Sequence, residues 1–161
     1  MSDIYVKFAD IPGESTNAAY ADQIYCVSMR HAISHEVLST GARKVGTSRH
    51  GAIEFTHAID KATPKLHQAV ASGSKCQGEV TITRMRSEGV AEEITLYNVY
   101  VVRVDVDTPL DGDTMLPDKE EPLETFALEY SKIKWDYKWY EDDEAKGSAT
   151  GGWDTQTLEK V

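Results

Sequence analysis

The chain has 161 residues, of which 40% are apolar, and its 17 basic and 27 acidic side chains give a formal net charge of −10 at pH 7. This length predicts a single domain, residues 1–161, with enough core to need neither a disulfide nor a structural metal ion. The negative charge argues against binding to nucleic acids or anionic membranes, which require a basic face, and no apolar run approaches the ~20 residues that span a bilayer.

The first third of the chain predicts two strands and a long loop. Residues 4–8 alternate apolar and polar side chains, which is typical of a strand that begins near the N-terminus. Residues 23–35 are predicted to form a second strand with both faces covered, because apolar residues occupy even and odd positions alike. The apolar pattern lapses over residues 36–50, where glycines and basic residues predict a long loop. Ordering such a loop costs backbone entropy, so we expect it to have a function.

A central strand followed by a short helix is predicted over residues 51–73. The strand shows apolar or ring side chains at every second position: Ile53, Phe55, His57 and Ile59. Thr63 and Pro64 are typical of a helix start, since the Thr hydroxyl can cap free amides and Pro fits the first turn. Leu66 then begins an apolar stripe, and Gly73 supplies the left-handed residue that ends the helix. A helix of about nine residues is unstable alone, so we expect it to dock on the strands.

The remaining residues predict further strands. Residues 79–85 and 92–96 form a hairpin around a turn at residues 87–89, residues 99–106 form a β-branched strand, and residues 108–122 form a solvated acidic loop. The apolar set then changes phase: Phe126, Leu128 and Tyr130 are even-numbered, whereas Ile133, Trp135, Tyr137 and Trp139 are odd-numbered.

The phase change has two explanations. A strand of period two cannot place both sets on one face, so either a bulge lies near Ser131 and Lys132 or the strand leaves one sheet and enters a second. A glycine-rich turn is expected over residues 141–152, before a short final strand at Trp153. The sequence therefore predicts an all-β domain with one short helix, built as a barrel or sandwich of two sheets.

The sequence contains no recognisable motif for catalysis, metal binding or phosphate binding. His31 and His35 would share a strand face but lie ~13 Å apart, too far to chelate one ion. No zinc or calcium motif, nucleophile motif or phosphate-binding glycine loop occurs, so we predict no metal, no cofactor and no catalytic residue. His57 and His67 are interpreted as ordinary semi-buried rings. Cys26 and Cys76 are expected to remain reduced and unbridged, because the protein is made in the cytoplasm.

Six segments together resemble the Hcp (haemolysin-coregulated protein) family, which forms the inner tube of the bacterial type VI secretion system. They are residues 13–15 (GES), 55–66 (FTHAIDKATPKL), 71–73 (ASG), 99–102 (VYVV), 133–137 (IKWDY) and 152–154 (GWD). The family motif and core positions are Phe55, Ile59, Pro64, Leu66, Trp135 and Trp153. The resemblance implies a β-barrel of two sheets with a flanking helix, similar to phage tail tubes.

The resemblance also implies a function. Members of the family assemble into hexameric rings that stack head to tail, and the tube is exported without a cleaved signal peptide. The resemblance also implies a lumen that can carry effectors. A VgrG-like spike, a contractile sheath and effector proteins are the implied partners, and no catalysis is implied. The long loop then acquires a role as the ring-stacking segment, with Gly41, Arg43, Lys44 and Gly46 as its candidate residues. The family often has a glycine-rich loop here and a tryptophan-rich strand where this chain has residues 28–32 (SMRHA).

The residues alone leave open two alternatives from other functional classes. A closed barrel of about eight strands can bind a small ligand as a monomer. A carbohydrate-active enzyme could use a pair among the 27 acidic residues, because paired acids require a separation that one sequence does not give.

Overall fold

The protein is a β-structure with one α-helix, seen in a computed structural model that describes residues 3–38, 44–86, 89–107 and 122–161. The helix is α1 (Thr63–Ser72), and a single 3-10 turn covers Ala18–Tyr20. The strands are β1 (Ile4–Lys7), β2 (Ile24–Cys26), β3 (Ser28–Arg30), β4 (Ile33–Leu38), β5 (Lys44–His50), β6 (Ile53–Ala58), β7 (Val80–Arg86), β8 (Gly89–Tyr97), β9 (Tyr100–Asp107), β10 (Leu123–Glu129), β11 (Lys132–Glu141), β12 (Glu144–Asp154) and β13 (Glu159–Lys160).

These strands form three antiparallel sheets. The large sheet has the order β13-β12-β11-β8-β7-β1-β2, the small sheet has the order β3-β6-β10-β9, and β4 pairs only with β5 among the described strands. Residues from the large and small sheets share one hydrophobic core, and we call these two sheets together the barrel. The fold class predicted from the sequence is therefore confirmed.

The core consists of the inward-facing residues of both sheets. Phe55 of β6 stacks on Phe126 of β10 with ring centroids 5.1 Å apart, and Phe8 packs against the same ring at 6.3 Å. Both stacked rings are fully buried, as is Leu66 of α1, which reaches down between the sheets. Further fully buried members come from both sheets: Val6, Ile24, Ile53, Ile82, Leu96, Leu128 and Ile133.

The helix begins and ends where the sequence predicts, but its N-terminal capping differs. Gly73 has a φ of +65°, and its N–H bonds back to the carbonyls of Ala69 and Val70 at 3.1 and 3.2 Å. The predicted Thr63 cap is wrong, because Ala62 occupies the N-cap and no side chain caps the helix there. The Thr63 hydroxyl instead accepts a bond from the N–H of Asp60, at 3.2 Å.

Residues 23–35 are not one strand, which corrects the prediction made from their apolar content. The chain turns twice, so that β2 joins the large sheet, β3 joins the small sheet and β4 leaves both. The prediction that both faces are covered also fails at Tyr25 and Ile33, which are 38% and 44% exposed. Strands of three residues are too short for periodicity to reveal where they end.

Two segments predicted as loops or turns are strands. Residues 33–38 and 44–50 form the β4–β5 hairpin, where the sequence predicted a loop over residues 36–50. Residues 144–152 belong to β12, an eleven-residue strand, where the sequence predicted a glycine-rich turn. The turn is only Asp142 and Asp143, both with positive φ, a two-residue loop that matches the twist of a hairpin. Gly147 serves packing rather than turning, since Trp139 lies directly over it.

The phase change of the apolar residues after Tyr130 marks a passage between sheets. β10 belongs to the small sheet and β11 to the large sheet, which confirms the second of the two explanations. The predicted acidic loop, apart from Pro122, lies outside the described residues. Among the residues that the structure describes, no helix is long and apolar enough to cross a membrane.

Candidate assembly surfaces

The β4–β5 hairpin stands apart from the barrel as its own two-stranded sheet. Its pairing begins with Ile33 opposite His50 and reaches Leu38 opposite Lys44, with a bulge after His35. The base is closed by the N–H of Gly51, which donates to the carbonyl of Ala32 at 2.9 Å. A hairpin outside the main sheets presents backbone and side chains to a neighbour without disturbing the core.

A tyrosine and two histidines connect the base of this hairpin to the barrel. Tyr130, at the passage from β10 to β11, places its hydroxyl 2.6 Å from His50 Nδ1 and 2.9 Å from His31 Nε2. Both imidazoles meet the tyrosine ring edge-on, with centroids 5.6 and 5.7 Å away. We call these three residues the hairpin-base cluster.

Electrostatics keep the hairpin-base cluster uncharged at neutral pH. Burial lowers the pKa of His50, and burial together with the nearby His50 ring lowers the pKa of His31, partly offset by a hydrogen bond to the backbone of Gly51. Burial also raises the pKa of Tyr130 well above its ordinary range. The three groups are therefore neutral at neutral pH.

A wide apolar groove of about 940 Å³ lies between the hairpin and the C-terminal strands. Trp135 and Trp153 line it, together with Ile33, Leu158 and Val161. The last three are 44%, 55% and 46% exposed, so this surface leaves much apolar area in contact with water. Exposed apolar surface of this kind is typical of protein–protein contacts.

The edge of the large sheet is also open. β13 pairs with Trp153 and Asp154 of β12, and the N–H of Val161 donates to the carbonyl of Gly152, which leaves the outer edge of residues 144–151 without a partner among the described strands. Near the tip of the β11–β12 hairpin, Trp139 is 40% exposed. An open edge with small side chains favours pairing with another strand.

The outer face of the small sheet carries charged side chains around Arg103, in contrast to the apolar groove. Arg103 of β9 contacts Glu54 of β6 and Asp105 of its own strand, at 2.5 and 2.7 Å. Those carboxylates raise the pKa of Arg103, so its positive charge is paired within this face. Exposed pairs of this kind add little to stability.

Beneath α1 lies a buried polar group that we call the interior cluster. His57 is fully buried, with Nδ1 3.5 Å from Asp60 Oδ2 and Nε2 3.4 Å from Glu124 Oε2. These are ion-pair distances rather than well-formed hydrogen bonds. The Thr63 hydroxyl donates to Glu124 Oε2 at 2.5 Å, and His67 Nε2 lies 3.6 Å from Glu124 Oε1. The cluster joins β6, β10 and α1.

Asp60 and Glu124 determine the protonation state of His57 in the interior cluster. Burial by itself lowers the pKa of His57, but the attraction of Asp60 and Glu124 outweighs burial and raises the pKa to about 9. His57 is therefore an imidazolium at neutral pH, held between two acids. The described residues contain no group of three or more His, Cys, Asp or Glu side chains arranged to hold a metal ion. Cys26 and Cys76 are buried free thiols, and burial raises the pKa of both.

The residues singled out from the sequence fall into three groups. Gly41 and Arg43 lie outside the described residues, while Lys44 and Gly46 belong to β5. The motif positions Phe55 and Leu66 are fully buried. The other motif positions are less buried or exposed: Ile59, Pro64, Trp135 and Trp153.

The structure brings Trp135 and Trp153 together in the groove, which their separation in sequence did not indicate. Sequence reasoning also missed both histidine clusters. Glu124 lies 67 positions after His57, and Tyr130 lies 80 positions after His50. The only local signal was the inward position of His57 on an apolar strand face.

Comparison with protein families matches residues 5–137 to the family described as type VI secretion system effector, Hcp. The curated protein hcp1 of Pseudomonas aeruginosa is 28% identical over 156 residues, which cover 94% of this chain and 93% of that protein.

Solved structures share the fold over nearly the whole chain. A type six secretion system protein superimposes with a TM-score of 0.88 at 19% identity, with 100% of both chains covered. Hcp1 from Salmonella typhimurium gives 0.81 at 23% identity, with 99% of each chain covered. A type VI secretion system effector from Yersinia pestis gives 0.75 at 20% identity, over 94% of this chain and 98% of that one.

Proposed function

Because the chain belongs to the Hcp family of type VI secretion system proteins, we propose that it forms hexameric rings that stack head to tail into the exported tube. Proteins of this family are structural and secreted, and are not enzymes. The chain is accordingly a secreted tube protein, and the proposal concerns how its copies assemble. A tube needs two kinds of contact, one within each ring and one between successive rings.

Contacts within a ring need surface that a lone subunit leaves exposed. The groove beside Trp135 and Trp153 and the open edge of β12 both supply it. A ring formed by head-to-tail association uses two different patches on each copy, and an apolar groove and an open strand edge meet that requirement. The outer face of the small sheet, where Arg103 pairs with Glu54 and Asp105, favours a solvent-exposed wall.

The observation that carries the stacking part of the proposal is the β4–β5 hairpin. It forms a separate sheet in a domain whose other strands, within the described ranges, belong to the barrel. The candidate stacking residues Lys44 and Gly46 lie on its second strand, and Gly41 and Arg43 belong to the segment that joins the two strands. Positive charge in this segment of an acidic chain favours contact with an acidic neighbour.

Partners and cargo follow from family membership. We propose that the tube is capped by a VgrG-like spike, enclosed by a contractile sheath and loaded with effectors in its lumen, after synthesis in the cytoplasm and without a cleaved signal peptide. No specific residue of this chain is assigned to these contacts. The proposal includes no nucleic acid, membrane or cofactor.

The alternative of a monomeric ligand-binding barrel has less support. The space between the two sheets is filled by aromatic and aliphatic side chains, including the stacked Phe55 and Phe126. The 940 Å³ groove lies outside that core, between the hairpin and β11–β13. A ligand inside the barrel would have to displace packed side chains.

Ring formation is tested by light scattering and negative-stain electron microscopy of the purified chain. Rings and a solution mass of six chains are expected at high concentration. A mass of one chain at every concentration, without rings, would refute the proposal. Leu158→Ser and Val161→Ser together should weaken ring formation, because these two side chains are the exposed apolar lining of the groove whereas Trp135 and Trp153 also pack against the core. Arg103→Ser on the outer face of the small sheet should leave ring formation unchanged.

The stacking role is tested by shortening the hairpin. Replacing residues 37–46 by Asn-Gly keeps the observed pairing of Ser34 with Arg49 and of His35 with Ser48, and closes it with a favoured turn. We expect folded rings that no longer stack and no longer support secretion. A matched control replaces Asp142 and Asp143 by Asn-Gly, which alters another hairpin tip without shortening it. If the shortened chain stacks like the parent, the stacking surface lies elsewhere.

A further inference from the structure

The groove between the β4–β5 hairpin and the C-terminal strands has apolar walls without negative charge. The lining residues that the structure describes include no Asp or Glu, and Lys160 is the one lysine or arginine among them. Ile33, Leu158 and Val161 form the exposed apolar part of the lining. In a chain with a net charge of −10, a groove of this kind favours a partner that is both apolar and acidic.

The floor of the groove is open because glycines of β12 lie in it. Gly151 and Gly152 both line the groove, and a Cβ at Gly151 would meet no atom within 4 Å. Gly151 has no positive φ, so its backbone conformation does not require glycine. The missing side chain therefore leaves room for a side chain that comes from outside.

A segment of matching composition joins β9 to β10. Residues 108–121 (TPLDGDTMLPDKEE), which we call the acidic segment, contain five carboxylates and one lysine. Leu110, Met115 and Leu116 are interspersed with these charges. The segment thus offers apolar side chains flanked by negative charge, which complements the apolar lining and Lys160.

The acidic segment and the groove belong to opposite ends of β10. The chain leaves β9 for the segment after Asp107, which pairs with Leu123 at the start of β10. The groove begins at His50, which contacts Tyr130 directly after the end of β10. β10 has seven residues, so its two ends lie about 20 Å apart.

The acidic segment is too short to fill the groove of its own copy. A chain of 14 residues that leaves one strand and returns to the neighbouring strand extends at most about 24 Å from their ends. It would arrive at the near end of the groove fully stretched, with no length left to place side chains along the lining. A second copy removes this limit, because its β10 can approach from another direction.

We propose that the groove of each copy receives the acidic segment of a neighbouring copy, whose two leucines and one methionine enter the apolar lining while its carboxylates face Lys160. The donating and receiving surfaces differ, so each copy gives one segment and receives another, as head-to-tail association requires. This inference rests on the proposed function, because the second copy is the neighbour in the ring.

Cysteine cross-linking between copies tests the contact. Each apolar residue of the acidic segment is changed to Cys in turn on one copy, Leu158→Cys is made on another, and the two are co-expressed and oxidised. The natural Cys26 and Cys76 remain, because both are buried. We expect a disulfide-linked dimer at least about tenfold more abundant than with Gln68→Cys on the exposed side of α1, because groups held together react at an effective concentration in the mM range.

Two cross-linking results would overturn the proposal. In the first, none of the three segment positions gives more dimer than the Gln68→Cys control. In the second, a single diluted chain that carries both cysteines is cross-linked within itself, which would show that the segment occupies its own groove.

A groove-filling variant tests the same contact without new thiols. Gly151→Val places a side chain in the open space of the floor and suits a strand, so the subunit should fold like the parent. It should weaken ring formation about tenfold, the effect of excluding one apolar side chain from the groove. Ala149→Val, on the same face of β12 but outside the lining, is the matched control and should assemble like the parent.

Light scattering of the parent separates failure of this inference from failure of the proposed function. Parent rings without the cross-link, or rings unaffected by Gly151→Val, would refute the contact between segment and groove and leave the ring proposal standing. A parent that forms no rings would refute the proposed function, and the contact would then stand or fall with the cross-linked pairs alone.

Discussion

Two clusters of histidines in this protein occupy opposite electrostatic surroundings. In the interior cluster, His57 is fully buried between the carboxylates of Asp60 and Glu124, and its pKa is raised to about 9. In the hairpin-base cluster, His31 and His50 share one neutral hydroxyl, and burial lowers the pKa of both. Both clusters join distant segments, but one does so with charge and the other with neutral hydrogen bonds.

The difference shows that burial alone does not decide the charge of a histidine. Burial disfavours the imidazolium in both places, and only nearby carboxylates reverse that effect. The position of each cluster in the fold corresponds to its charged or neutral chemistry. The interior cluster fastens the helix onto the barrel, where separation would mean unfolding. The hairpin-base cluster fastens a projecting element, which can move without exposing the core.

The largest expected effect comes from Leu66→Asp, above the interior cluster. Leu66 is fully buried on α1, and an unpaired buried carboxylate together with the lost packing should cost at least about 5 kcal/mol, most of the stability of a small domain. We expect an unfolded chain by circular dichroism. The exposed neighbour Gln68→Asp should melt like the parent. A folded Leu66→Asp protein would show that the helix does not anchor the interior.

The second-largest expected effect is a loss of folding stability at alkaline pH, where His57 loses its proton. The folded-state pKa of His57 lies at about 9, above the ordinary 6.5, so its contribution is complete below about 6.5 and disappears as the pH rises through 9. The difference corresponds to roughly 3 kcal/mol. Urea unfolding at about pH 6 and pH 10 should show a larger loss of unfolding free energy in the parent and in His67→Gln than in His57→Gln, because buried thiols and tyrosines with raised pKa values contribute the same smaller loss to all three proteins. An equal loss in all three proteins would contradict the assignment of charge to His57.

A smaller effect is expected from Tyr130→Phe at the hairpin base. Removing a hydroxyl from a neutral hydrogen-bond pair should cost about 1 kcal/mol of unfolding free energy, well below the effects in the interior. The midpoint of urea unfolding should therefore fall slightly. Unfolding of the whole barrel by this change would remove the distinction between the two clusters.

The smallest effect on stability is expected from Arg43→Glu with Lys44→Glu in the candidate stacking segment. The sequence around these two residues is polar and contains glycine, and charge changes in such segments usually alter the free energy of unfolding by no more than about 0.5 kcal/mol, so melting should not change. Stacking of rings should weaken mildly, and most at low salt, where charges interact over the longest distances. Sedimentation at two salt concentrations measures this. If the variant stacks like the parent at both salt concentrations, the basic segment is merely solvated and does not contribute to stacking.

Much of the interior was predictable from local patterns. The alternation around Phe55 placed its strand and the inward side of His57, and Gly73 marked the end of the helix. The change of phase after Tyr130 predicted either a bulge or a passage between sheets, and the structure shows the passage. These features depend on neighbours one to four positions away, and the period of the side chains records them directly.

The hairpins were not predictable in the same way. β4, β5 and β12 carry polar and glycine residues and are largely solvent-exposed where their side chains are described, so they lack the alternation that reveals a strand. Their strand character comes from pairing with a partner strand, such as Ile33 with His50. The turn at Asp142 and Asp143 was hidden within a longer acidic and glycine-rich segment for the same reason.

The sequence by itself determined the all-β class, the single helix, the inward face of the central strand and the family resemblance, because periodicity and motif order are local properties of the chain. Only the tertiary structure decided which partners each histidine meets. Glu124 reaches His57, and Tyr130 reaches His31, across 67 and 99 positions of sequence. The charge of a buried imidazole depends on those neighbours, so two histidines of identical chemistry acquire opposite pKa shifts only when the sheets have packed.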